Sequence, residues 1–130
     1  MGRNNEGSIM IFSLIVITVL LIIGSAFLSF STAEFRAVQS HTNSMQAFYL
    51  AESGVNHYIK ELSARGATGM SASLMGTLTG IGSYSVVRTS LGESVYLVTS
   101  TGTTVVGNAK STLYARVTVQ GYLPWENFMM

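Results

Sequence analysis

Apolar positions along this chain pass through three regimes: unbroken, then spaced by threes and fours, then alternating. Between Glu6 and Glu34 no residue is charged. Most of that interval is an apolar block, residues 9–23 (IMIFSLIVITVLLII), extended through Gly24 to Phe30. As a helix, residues 8–30 would run about 34 Å at ~1.5 Å per residue, enough to cross a hydrocarbon core of ~30 Å. Inside lipid a helix satisfies its own backbone hydrogen bonds and needs no partner there. Burying so long an apolar surface inside a soluble protein would take a large body around it, and only about 100 residues follow. The block predicts a membrane-spanning helix.

The second regime continues that helix. From Phe30 to Ala64 there is no proline, and Gly54 is the only glycine. Helix formers such as Ala33, Glu34, Ala37, Gln39, Met45, Leu50, Ala51, Glu52, Lys60 and Glu61 dominate. Apolar residues at Val38, Met45, Phe48, Val55, Ile59 and Leu62 fall at sums of three and four, which predicts one stripe on a helix. The reading is a single helix over about 8–64, roughly 85 Å long, apolar all round in its first half and amphipathic in its second. Gly24 is its expected soft point, and Gly66 its expected C-terminal cap. On a 100° wheel Glu52 falls between Phe48 and Val55, at the centre of the stripe. Two roles fit it. One is a contact within the domain, to a backbone N–H, a tyrosine hydroxyl, Arg88 or Arg116. The other is a contact between subunits in a helix bundle.

The third regime begins after residues 66–82, which are rich in Gly, Ser, Thr and Met and uncharged, and which read as a linker or irregular loop. Residues 83–89 place Tyr84 and Val86 on one face. Residues 94–100 place Val95 and Leu97 opposite Tyr96 and Val98. Residues 112–120 alternate strictly, Leu113, Ala115, Val117 and Val119 against Tyr114, Arg116, Thr118 and Gln120. These are β-branched and aromatic strands with connections at 90–93 and 102–110, short enough for antiparallel neighbours. The predicted fold is α+β: one long N-terminal helix whose distal half covers a small antiparallel sheet of three or four strands.

Composition adds mainly exclusions. Lys plus Arg is 7 and Asp plus Glu is 6, so no charge excess points to nucleic acid. Cysteine and aspartate are absent and histidine occurs twice, at His41 and His57. No spacing offers converging metal ligands, and nothing pairs a nucleophile with a base. Phosphate-binding glycine motifs are missing; residues 76–80 (GTLTG) lack the lysine and the preceding strand. The expectation is a non-enzyme without cofactor, metal or small-molecule substrate. His57 and Glu61, four apart, read as a helix-surface pair.

At residues 3–7 (RNNEG), before the apolar helix, and at residues 46–55 (QAFYLAESGV) beyond it, the chain resembles type IV pilin-like proteins. Among them it is most similar to PilX-type minor pilins and K-type minor pseudopilins. Residues 96–102 (YLVTSTG) followed by 110–117 (KSTLYARV) are similar to the sheet after the helix in such proteins. The resemblance implies a leader over residues 1–7, cut by a prepilin peptidase between Gly7 and Ser8, with methylation of the new terminus. It implies a membrane and filament-core segment over 8–30, an amphipathic half over 31–65, and a loop and sheet region over 66–130. It implies partners that are other pilins, met through the N-terminal helix, and a domain outside the cytoplasm. Most family members carry Glu as the fifth mature residue; here that position is Phe12. A carboxylate in hydrocarbon is costly and would seek a neighbouring subunit's terminal amine. A subunit without it suits the start or cap of a filament, and that is the expected role.

Two other products fit the sequence. Residues 31–33 (STA) form a small-x-small site, so cleavage after Ala33 would release a secreted soluble binding module. Left uncleaved, the chain would be a single-pass accessory subunit of another membrane complex. The last ten residues, 121–130, hold the only proline and tryptophan together with Tyr122, Leu123, Phe128 and Met129. That apolar cluster is expected to pack on the sheet edge or the 66–82 loop, or to dock on a partner subunit.

Overall fold

The structure, a computed structural model, describes residues 4–66 and 68–120. Helix α1 spans Asn4–Arg65, and four strands follow: β1 Ser73–Leu78, β2 Gly82–Ser90, β3 Val95–Thr104 and β4 Lys110–Thr118. The chain forms two compact units, residues 1–39 and 40–130.

In the first unit every side chain from Asn5 to Gln39 is exposed. Helix runs through Gly24 without interruption. The second unit pairs the distal part of α1 with an antiparallel sheet in the order β1-β2-β3-β4. Gly66 (φ 73°) ends α1, its N–H donating to Leu62 O at 2.9 Å. That is the left-handed cap expected there.

Register decides which side chains meet the helix. Leu74, Val86, Ser100 and Leu113 lie opposite one another across the four strands; Gly76, Tyr84, Gly102 and Ser111 form the next row. Both rows face α1. The outer face carries Met75, Val87, Thr101, Thr112 and Tyr114. The alternation expected of β4 holds, with Leu113, Ala115, Val117 and Val119 half-buried and Tyr114, Arg116 and Thr118 exposed.

Three features depart from the sequence reading. Residues 73–78, expected to be part of a loop, form β1. Its Leu74 and Gly76 gain register only through β2, and Gly76 is bare because the Tyr84 ring lies where its Cβ would be. Strand β3 runs on to Thr104, through residues read as a connection; Thr104 Oγ1 accepts from Ala109 N–H at 3.1 Å and closes the following turn. Lastly, the buried stripe of α1 is Ala47, Leu50, Ala51, Gly54, Val55, Tyr58 and Leu62. Of the expected stripe only Val55 and Leu62 are buried; Val38, Met45, Phe48 and Ile59 are exposed. Small residues win because the sheet approaches closely. A Cβ on Gly102 would overlap Ala47 O and lie 2.6 Å from Ala51 N, and one on Gly54 would meet Ser100 Oγ and Tyr84. Large side chains cannot fit under that contact and are displaced to the flank. The core beneath is Tyr58, Leu62, Tyr84, Val86 and Val98.

Candidate functional site

The first candidate surface is the apolar helix itself. One 18-residue window of α1 has mean hydropathy 2.8 and none of it is buried. A bare apolar face this large is not left in water by soluble monomers. Five of its hydroxyls bond back along the helix. Ser13, Thr18, Ser25, Ser29 and Thr32 donate to the carbonyls of Met10, Leu14, Ile22, Ser25 and Ser29 at 2.7–3.0 Å. Such back-bonding lets polar residues enter hydrocarbon without an unpaired donor. The helix is long and apolar enough to span a membrane.

Gly7 and Ser8 are helical and exposed, with open space around the Gly7 Cα. Phe12 is exposed like its apolar neighbours, so position 12 presents a ring to the surroundings and no charge. Ala33 lies within uninterrupted helix.

The second candidate surface is the helix–sheet junction. Of the residues singled out there, Val55 is buried, while Phe48 and Ile59 are 46% and 43% exposed. Glu52 is exposed, outside the buried stripe rather than at its centre. The reason is the stripe's rotation toward Ala47, Ala51 and Tyr58, which turns position 52 outward. The two arginines considered as its partners separate. Arg116 sits on the outer sheet face, away from the helix. Arg88 lies on the inner face with its guanidinium carbon 4.9 Å from the Tyr96 ring centre, a cation–π contact.

The side chain that does join helix to sheet is His57. Its Nδ1 lies 2.6 Å from the Tyr84 hydroxyl, while Glu61, its expected partner, pairs with Arg65 at 2.9 Å. No local signal identifies this pair, because 27 residues separate its members. Close by, Tyr58 OH and Ser100 Oγ are buried without a hydrogen-bond partner among the described residues. Among the described residues no three acidic, histidine or cysteine side chains cluster as metal ligands. An open pocket of about 450 Å³ at one end of the sheet is lined by uncharged groups, among them Thr77, Gly80, Thr103 and Asn108. It offers hydroxyl and amide hydrogen bonds, and none of its lining side chains is an acid or a base. The chain matches no family model, no curated protein and no solved structure.

Proposed function

We propose that this protein is a minor pilin or pseudopilin, a membrane-inserted subunit that helps start or cap a type IV pilus-like filament. The observation that carries this reading is the bare apolar half of α1, continuous in one helix with an amphipathic half bearing a four-stranded sheet. An apolar rod in lipid can leave it only for an equally apolar environment, and the corresponding rods of sibling subunits supply one. In this reading a prepilin peptidase cuts between Gly7 and Ser8, the sheet domain lies outside the cytoplasm, and Phe12 places the subunit where no neighbour's amine needs a counter-charge.

N-terminal sequencing and intact mass of the protein recovered from cell membranes test it. The expected terminus is Ser8, with or without a methyl group. A chain starting at Glu34 would make it a secreted module, and one starting at Met1 an uncleaved anchor. For the role of position 12, Phe12→Glu is expected to alter filament number or incorporation; an unchanged phenotype removes the special role of the missing charge.

A further inference from the structure

We infer that the concavity between the β1–β2 turn and the β3–β4 turn is a carbohydrate-binding site that takes a neutral sugar ring. The inference concerns the 40–130 unit alone and does not depend on the filament reading. Both turns lie within the described residues; the apolar cluster at 121–130 lies outside them.

Backbone bonds hold the two turns side by side. Ile81 N–H donates to Leu78 O at 3.1 Å and closes the first, residues 79–81. Thr104 N–H donates to Ala109 O at 3.0 Å and closes the second, residues 105–109. Val105 N–H donates to Ile81 O at 3.0 Å and joins one turn to the other. The Thr104 hydroxyl, in a residue 1% exposed, donates to Val106 O at 2.9 Å. Gly80 (φ 80°), Gly107 (φ 76°) and Asn108 (φ 47°) supply the left-handed conformations that these turns require. A cavity built this way exists before any ligand arrives, so binding need not order it.

Hydroxyls line it in a row. Thr77 pairs with Ser83 in register and Ser83 with Thr103, so three hydroxyl side chains cross three strands at intervals of about 5 Å. Thr79 and Asn108 add a hydroxyl and a carboxamide from the turns. None of these five side chains is engaged in a hydrogen bond among the described residues. Leu78 and Val105, 40% and 65% exposed, supply the apolar part of the lining. The volume, about 450 Å³, lies in the range of small-ligand sites, ~300–1,000 Å³.

Uncharged groups that both donate and accept match a ligand that does the same. A hydroxyl gives one bond and accepts two, and a carboxamide gives and accepts side by side, which suits the adjacent hydroxyls of a sugar. The C–H face of the ring would lie on Leu78 or Val105. Phosphate is a poor fit, because no cation lines the cavity and residues 77–80 run into a turn rather than a helix N-terminus. Lys110 stands opposite Thr103 on β4 but outside the lining. A peptide strand is a poor fit as well. It would add along a sheet edge through main-chain groups, whereas this row runs across strands. With a handful of hydrogen bonds, each of modest net worth, the Kd is expected on the order of 1 mM.

Nuclear magnetic resonance titration of the intact, isotope-labelled protein, in a detergent without a sugar headgroup, is the test. The probes are glucose, galactose, mannose and N-acetylglucosamine, each taken to about 20 mM. At least one is expected to give saturable amide shifts confined to residues 77–83 and 103–108. Thr103→Val keeps the shape and removes a hydroxyl; Asn108→Gly keeps the left-handed turn and removes the carboxamide. Each should weaken binding about 5-fold or more while circular dichroism matches the parent protein. Tyr114→Ala, at an exposed ring on the same sheet face but outside the lining, should leave binding unchanged. Four results overturn the inference: no saturable shift from any of the sugars, shifts centred elsewhere, binding lost in Tyr114→Ala yet kept in both cavity variants, or the same amides answering only to inorganic phosphate or capped tetraalanine.

Discussion

A single hydroxyl or methyl decides much in the distal unit, because helix and sheet are close enough for backbone to touch side chain. Tyr58 OH and Ser100 Oγ are buried without partners among the described residues, and an unsatisfied buried polar atom costs about 1–3 kcal/mol. Tyr58→Phe is therefore expected to leave stability unchanged or raise it by up to ~1 kcal/mol, read from the denaturant midpoint. Gly102→Val should do the opposite. Its side chain would collide with the backbone at Ala47 and Ala51, a loss of about 3 kcal/mol typical of severe overpacking. His57→Leu removes the bond to Tyr84. It should lower stability by ~1 kcal/mol while the helix content seen by circular dichroism persists. These residues explain why the expected stripe was misplaced. Hydropathy ranks Phe48 and Ile59 above Ala47, Ala51 and Gly54, but close approach selects for small volume. Glu52 is central to the large apolar residues around it, and those are not the buried face.

At the scale of elements, the first half of α1 and strand β4 were readable from local pattern, and β1 was not. An uncharged apolar run long enough to span a bilayer is visible by length alone, and a strict alternation carries its own period, which one-sided burial of β4 matches. Strand β1 has the sequence SLMGTL, with one glycine and weak alternation. Pairing with β2 and the Tyr84 ring over Gly76 supply the stability that its own residues lack. Gly76→Val is accordingly expected to detach β1, seen as early hydrogen exchange of 73–78 while β2–β4 stay protected. In the apolar half of α1 the decisive quantity is charge. Ile17→Arg places a cation mid-segment, where insertion costs about 2.5–3.5 kcal/mol. Membrane-bound protein after carbonate extraction should fall, whereas Gly24→Ala, in open space, should be neutral or add helix stability of about 1 kcal/mol.

For the whole molecule, the two compact units differ in what they need from their surroundings. Every side chain described from residue 5 to residue 39 is exposed, while the 40–130 unit contains a packed core. Expressed without residues 1–39, the distal unit is expected in the soluble fraction with mixed helix and strand circular dichroism; the full chain should require detergent. An insoluble distal fragment would mean that its exposed apolar side chains, among them Phe48, Tyr49 and Ile59, themselves need covering. By itself the sequence determined the long helix, its apolar half, the presence of a small antiparallel sheet and the face of β4 that turns inward. Each of these depends on residues near one another in the chain, whose periodicity is visible without a partner. Tertiary structure alone decided which side of the helix is buried, that a fourth strand forms at 73–78, and that His57 meets Tyr84. Those depend on how closely two surfaces distant in sequence approach, and that separation is set by glycines and alanines whose hydropathy carries no trace of it.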